Sequence, residues 1–462
     1  MKLRITDNAY KDNHAGWPIK DCCSSDPSQD DVAQILADIR EIDSRSVNDL
    51  CEKKPNLLIF PHCLGEHKDG MESLYICRYS DERIYTGNLM GFVGVGETEI
   101  DIRSRFANKE DGDFFSHYMM QKVFCPNLLD FKHTISKESV FDFLLYLFPY
   151  YFNEALQQGV YKEYRRFEYN DSKVKGCIDV SMHIRSNIPF NGKIAYSTRE
   201  YSYDNRITQL IRHTIEHIKS SPYGKGILSG KDTIANMRII TDCTTTYSLG
   251  NRRKVLADNS KEVRHPYFTK YTALQLLCKR ILRHEELKYG NEEDKVYGIL
   301  FDGAWLWEKY LNTLYSPLGI THADNKSGTN ECYLFKGRTD DWTKRYPDFY
   351  SKDKGIVIDA KYKRLEGGKI SRDDTHQIIT YLHILQAKLA AVAYPKEEAD
   401  GVSNYARIGE LNGFGGEVGK FGLQIPNSST YEDFIINIQN QEGLMQKEIQ
   451  ENHKRIWRKY TF

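Results

Sequence analysis

Apolar positions along this chain change period several times, and the changes mark out its elements. Val32, Ile35, Leu36 and Ile39 recur at helical spacing behind the run SSDPSQDD, whose serine and acidic side chains suit a helix start. The period then drops to two. LLIFP, SLYICRYS, RIYTG and ETEIDIRSRF alternate β-branched and aromatic residues with polar ones, predicting a small β-rich module from Leu57 to Phe106. Asp113 to Lys162 reads as helical, with aromatic positions such as Phe115, Tyr118, Tyr146, Phe148 and Phe152 forming core stripes. Glu163 to Asp204 is mixed, and helices return at Ile207 to Lys219 and Tyr271 to Lys288. Ile299 to Tyr315 reads as an amphipathic helix with Glu308 in its middle, followed by the strand ECYLFKG. The expected architecture is α+β and multidomain: a β-rich domain over 1–125, a mainly helical region over 126–295, and a mixed β-sheet flanked by helices over 296–462.

Composition narrows the function classes. A length of 462 residues suffices for two or three cores. The formal net charge is zero, so any contact with nucleic acid falls to local basic patches or to a partner. One such patch is the stretch from Glu163 to Asp204, where Lys and Arg interleave with Tyr and Phe; it suits a phosphate backbone, an acidic partner surface, or simply a solvated face with snorkelling stems. The ten cysteines form no C-x-x-C pair, which argues against zinc and iron–sulfur sites. The N-terminus MKLRITDNAYKDN lacks the apolar core of a secretory leader, and the apolar segment Phe141 to Phe152 is too short for a membrane span. The expectation is a cytoplasmic protein without a membrane partner. Two glycine-rich stretches are rejected as nucleotide loops. Gly91, Gly94 and Gly96 have the wrong spacing for a dinucleotide fingerprint and are assigned to turns. In YGKGILSGKDT, five residues separate Gly224 from Gly230, and Asp232 stands where a phosphate loop needs a hydroxyl.

The chemistry concentrates in YPDFYSKDKGIVIDAKYKRLEGGKISRDDTHQIITY, residues 346–381. In GIVIDAK the β period puts Val357, Asp359 and Lys361 on one face. The turn residues Ser351 to Gly355 suit a hairpin that lays Asp348 beside Asp359, within reach of one cation. Carboxylate oxygens are the ligands that a hard ion such as Mg²⁺ prefers, and an adjacent lysine offsets charge that develops on a phosphoryl group. Ser371 and Asp374 have capping-box spacing for the next helix. On it Gln377 and Tyr381 stand one above the other, while Ile378, Leu382 and Leu385 form the buried stripe. Taken singly, Asp-x-Lys is a common surface pair, Asp348 a turn residue and Glu308 a solvated helix position. Their order along the chain is what makes a site.

In these residues the sequence resembles the PD-(D/E)xK nuclease superfamily and, within it, the McrC and LlaJI-type restriction subunits. The resemblance implies that 296–462 is an endonuclease domain, with Asp348 and Asp359 as Mg²⁺ ligands and Lys361 as the catalytic lysine. It further implies Glu308 as an extra acid and metal ligand, and Gln377 and Tyr381 as the helix motif of RecB-like members. The segment GCIDVSMHIRSNIPFNGKIAYSTREYSYDN is similar, more loosely, to the part preceding the nuclease domain in McrC-like proteins. Such proteins cut DNA within complexes whose other chain is an AAA+ GTPase, an McrB-like subunit on which the N-terminal part docks and whose GTP hydrolysis it stimulates. Two alternatives stand beside this expectation: a stand-alone repair or recombination nuclease, and a non-catalytic adaptor that activates a motor.

Overall fold

The computed structural model describes residues 1–8, 16–23, 26–54, 57–61, 75–107, 113–124, 137–221, 224–287, 296–323, 332–351, 353, 355–365, 369–396, 404–413 and 415–460. The chain forms two compact units, Met1–Lys137 with Glu292–Phe462, and Glu138–Asn291. The fold is mixed α+β, with several sheets and many helices.

The first unit holds two large sheets. One takes β1 (Lys2–Thr6), β2 (Leu57–Phe60), β3 (Leu89–Val95), β4 (Thr98–Arg103) and β5 (Val296–Asp302) in the order β1-β4-β3-β5-β2. Leu3, Ile5, Ile59, Val93, Ile100 and Leu300 from its strands share a core with Ile35 and Ile39 of the helix Gln29–Ile39. That helix begins as its sequence suggests: Ser28 caps it, accepting from Asp31 N at 3.1 Å while Asp31 returns the bond.

The strand β5 changes three expectations. Val296–Asp302 is strand, because its apolar run pairs antiparallel with β3 and parallel with β2; the expected helix begins only at Gly303, capped by Asp302. The segment expected over 296–462 thus lends its first strand to the sheet of the N-terminal segment. Nor are all three glycines turn residues. Gly96 turns between β3 and β4, but Gly91 and Gly94 lie within β3, where an added Cβ would overlap the Ile299 carbonyl oxygen and the Tyr297 ring respectively. They are glycines because another strand passes there.

The second sheet takes β6 (Ile320–His322), β7 (Phe349–Ser351), β8 (Ile356–Ala360), β9 (Leu389–Lys396), β10 (Tyr405–Glu410) and β11 (Glu417–Gln424) in the order β6-β7-β8-β9-β11-β10. β8, β9 and β11 run parallel. β9 is buried at every position, as befits a parallel strand covered on both faces. The crossover from β8 to β9 is the helix Arg372–Leu385, whose Ile378, Leu382 and Leu385 pack on Val357, Ala390 and Val392. In chain order we label Phe114–Phe124 α1, Gly303–Tyr315 α2, this crossover helix α3, and Tyr431–Tyr460 α4. α2 packs on α1, β6 and β8, and α4 on β11, β10, α1 and α2. Glu442 of α4 locks three of these helices together: it accepts from Tyr118 of α1 at 3.1 Å and Tyr310 of α2 at 2.6 Å, and pairs with Lys122. The expected strand ECYLFKG shrinks to Cys332–Tyr333, which pairs with Lys344–Arg345.

In the second unit, helices such as Lys137–Gln157, Arg206–Ser220, Lys231–Cys243 and Tyr271–Leu287 accompany a three-stranded antiparallel sheet of Glu163–Asp171, Ile194–Ser202 and Cys177–Ile178. Asn205 caps Arg206–Ser220, which buries Ile207, Leu210, Ile211, Ile215 and Ile218. Of the aromatic stripe expected upstream, Phe148 and Phe152 are buried and stacked with centroids 5.1 Å apart, while the side chains of Phe141 and Phe143 lie outside the described residues. No helix among the described residues is long and apolar enough to cross a membrane.

Candidate active site

The hairpin of β7 and β8 brings the two aspartates together. Phe349 pairs with Ile358, and the Asp348 carboxylate, just before β7, accepts from the Ala360 amide at 2.8 Å. The Asp348 carbonyl is itself held by the Ala323 amide at 2.9 Å, so the residue is anchored from the strands on either side of it. Asp359, on β8, is 1% exposed. Its Oδ2 lies 2.8 Å from Lys361 Nζ, an ion pair at the end of the strand.

Lys361 follows the end of β8, where its amide still donates to Ala393 O at 2.8 Å, continuing the ladder by one residue. Its ammonium group donates to Gln377 Oε1 at 2.8 Å. Gln377 Nε2 donates to the Tyr381 hydroxyl at 2.8 Å, and that hydroxyl donates to Tyr346 O at 3.0 Å. The chain of bonds runs from the lysine along one face of α3 and back to the backbone two residues before Asp348. Both Gln377 and Tyr381 therefore steady the lysine and the aspartate segment together.

The carboxylates and the lysine act on one another through their charges. Burial, then the charges of Asp359 and Glu308, push Asp348 well above the ordinary carboxylate value. Burial also raises Asp359, with Asp374 and Glu308 adding to it and Lys361 pulling against it. For Lys361, burial disfavours the charge, yet Asp359, Asp348 and Asp374 outweigh it and hold the ammonium above its usual pKa. Glu308, half-buried on α2, joins the cluster through its charge on both aspartates. Among the described residues no three His, Cys, Asp or Glu side chains converge into a ready-made metal cage.

Two contributions were hidden in the sequence. Asp374 reads there as the partner of a helix cap, and it is one: its amide donates to Oγ of the cap residue Ser371 at 3.2 Å. It also lies 3.8 Å from Lys361 Nζ and binds Lys363, so it adds a third carboxylate to the charge around the lysine. The available signal was its spacing, three residues before Gln377 and hence on the same helix face. The other contribution comes from the N-terminal sheet. Just past β4, Ser104 Oγ meets the Tyr362 hydroxyl at 2.6 Å, and Arg105 pairs with buried Asp7 at 2.6 Å while reaching Asn88 Oδ1 at 3.0 Å. Arg364 donates to the Arg105 carbonyl. Residues 362–364, directly after Lys361, are thereby fastened to the first sheet.

Comparison with known proteins adds a family. The family model described as McrBC 5-methylcytosine restriction system component matches residues 84–395. No curated protein matches the chain. Two solved structures from Thermococcus gammatolerans are similar. One is a half-complex of McrB AAA+ hexamers with bound McrC, at 15% identity and a TM-score of 0.40, covering 95% of this chain and 100% of that one. The other is an McrBC complex, at 12% identity and a TM-score of 0.29, covering 68% and 87%.

Proposed function

Given that this chain belongs to the family of McrBC 5-methylcytosine restriction system components, we propose that it is the DNA-cutting subunit of such a system. In this reading it is a Mg²⁺-dependent endodeoxyribonuclease of the PD-(D/E)xK kind, acting with an McrB-like AAA+ GTPase as partner. The observation that carries the reading is half-buried Asp348 and buried Asp359 beside Lys361, with the lysine fixed by Gln377 at 2.8 Å.

The residues fit a magnesium ion. Both aspartates are raised first by burial and then by neighbouring carboxylates, a state that a cation would relieve, and all donors are hard oxygens. Asp348 and Asp359 would hold the ion, with Glu308 adding negative charge from α2. Two protein carboxylates suit magnesium, which commonly keeps water and phosphate oxygens as its remaining ligands. When bound, it supplies Lewis acidity toward a phosphate oxygen and a lowered pKa for water.

The chain's own groups do the rest. Hydrolysis joins a water oxygen to phosphorus while the ester P–O bond breaks and the departing alkoxide takes a proton. Negative charge spreads over the phosphoryl oxygens as this happens. Lys361 stays charged because three carboxylates surround it, and its position at the mouth of the aspartate pair serves to offset that charge. Gln377, braced by Tyr381, holds the ammonium in place beside Asp359, a positioning task.

The test combines this chain with its AAA+ partner, GTP and Mg²⁺ on methylated and unmethylated DNA. Asp359→Asn is expected to abolish cutting while complex assembly and GTP hydrolysis persist. Undiminished cutting by that variant would leave the chain an adaptor.

A further inference from the structure

We infer that the hairpin spanning Cys332 to Tyr346 is a DNA-contact element beside the catalytic site, with Trp342 as its base-stacking residue. This inference rests on the nuclease reading above.

The base of the hairpin is fixed and its tip is not covered. Cys332 pairs with Arg345 and Tyr333 with Lys344. Cys332 also packs on the core that Val357, Ile378 and Tyr381 form beneath α3. Leu334 N donates to Thr343 O at 2.9 Å, and Thr343 is buried. Beyond this base, Trp342 is 60% exposed and Phe335 45% exposed, their ring centroids 5.7 Å apart. Burying two such rings in solvent-facing positions gains the fold little, and exposed aromatic pairs of this kind mark contact surfaces.

Charge decides which partner. Arg338 lies 5.9 Å from the Trp342 ring, and Arg345 Nη1 donates to Trp342 O at 3.1 Å. Over Cys332 to Tyr346 four basic side chains, Lys336, Arg338, Lys344 and Arg345, outnumber the two carboxylates Asp340 and Asp341, which pair with Arg338 at 3.9 Å and Lys344 at 3.0 Å. Basic side chains around exposed aromatic faces are the composition that meets phosphates and stacks on bases. Continuity with the site supports DNA as well. Only Pro347 separates the hairpin from Asp348, and the charge of Arg345 reaches the Tyr381 hydroxyl.

The experiment uses the full chain assembled with its AAA+ partner, in an Asp359→Asn background. The probes are a fluorescein-labelled DNA duplex and its matching single strand, read by anisotropy. Trp342→Ala is expected to raise the Kd about tenfold or more, and Trp342→Phe to recover most of the loss. Tighter dependence on Trp342 for the single strand than for the duplex would identify stacking on unpaired bases. Because Trp342 is exposed, neither variant is expected to change thermal stability. An unchanged Kd, or a defect confined to assembly with the partner, would overturn the inference. The two readings separate cleanly: DNA cutting by Asp359→Asn defeats the nuclease assignment alone, whereas its silence combined with normal DNA binding by Trp342→Ala defeats the hairpin alone.

Discussion

Arg105 donates from Nη1 to the Tyr362 carbonyl oxygen at 3.2 Å, so a residue that follows the first sheet holds the backbone next to Lys361. The same guanidinium neutralises Asp7, whose side chain is fully buried and whose pKa is raised by that burial despite Arg105. Arg105→Ala would leave a carboxylate buried and unpaired. The expected loss of unfolding free energy is about 3–5 kcal/mol, measured by urea denaturation. In the Asp7→Asn background the same substitution should cost clearly less, because the orphaned charge is gone.

Tyr381→Phe removes the hydroxyl that receives Gln377 Nε2 and donates to Tyr346 O. About 1 kcal/mol of stability should go with it. The turnover of DNA should fall by about tenfold with little change in KM, since the lysine loses its brace while substrate contacts remain. A change in KM alone would place Tyr381 on the substrate instead.

Asp348 is charged only at a cost in the folded protein, because its pKa is raised above the unfolded value. Its contribution is therefore favourable below the unfolded pKa and turns destabilising as pH rises from about 4 toward the raised folded value. Without metal at pH 7, Asp348→Asn should be at least as stable as the wild type, although inactive. Adding Mg²⁺ at tenfold its Kd should stabilise the wild type by about 1.4 kcal/mol and leave Asp348→Asn nearly unmoved. Calorimetric melting with and without the ion distinguishes the two.

Glu417 at the start of β11 behaves in the opposite sense. Burial alone would raise its pKa, but Arg455, Tyr405 and Arg407 bind the carboxylate and bring it down to about 2. The stability from that shift is complete above about pH 5 and is lost as pH falls toward 2. At pH 7, Glu417→Gln should lower unfolding free energy by about 3 kcal/mol, and the gap to the wild type should narrow steadily below pH 4.5. Denaturant midpoints across that range read it directly.

The neighbourhood of Asp348, Asp359 and Lys361 was legible in the sequence because its geometry is local. A period of two, a turn at Ser351 to Gly355 and a cap at Ser371 suffice to bring Asp348, Asp359, Lys361 and Gln377 into one neighbourhood. Pairing between distant segments leaves no such trace. Val296–Asp302 reads equally well as the first turns of a helix, since a short apolar run has no period of its own. Only Gly91 and Gly94, flat places in β3 kept clear for β5, hinted that a strand must pass there. Asp374 was legible as the partner of the Ser371 cap but not as a neighbour of Lys361, because that contact joins a helix to the end of a strand. Arg105 and Tyr362 carry no local signature at all.

The place of β5 between β3 and β2 has a consequence for synthesis. Among the described residues Leu57–Phe60 pairs with β5 alone in its sheet, and about 235 residues separate it from Val296. At roughly 5–20 residues per second, a ribosome leaves this apolar strand waiting on the order of 10–50 seconds for its partner. During that interval LLIF is an unpaired edge in a growing polypeptide, and it is there that a chaperone acting on the nascent chain has the most to protect.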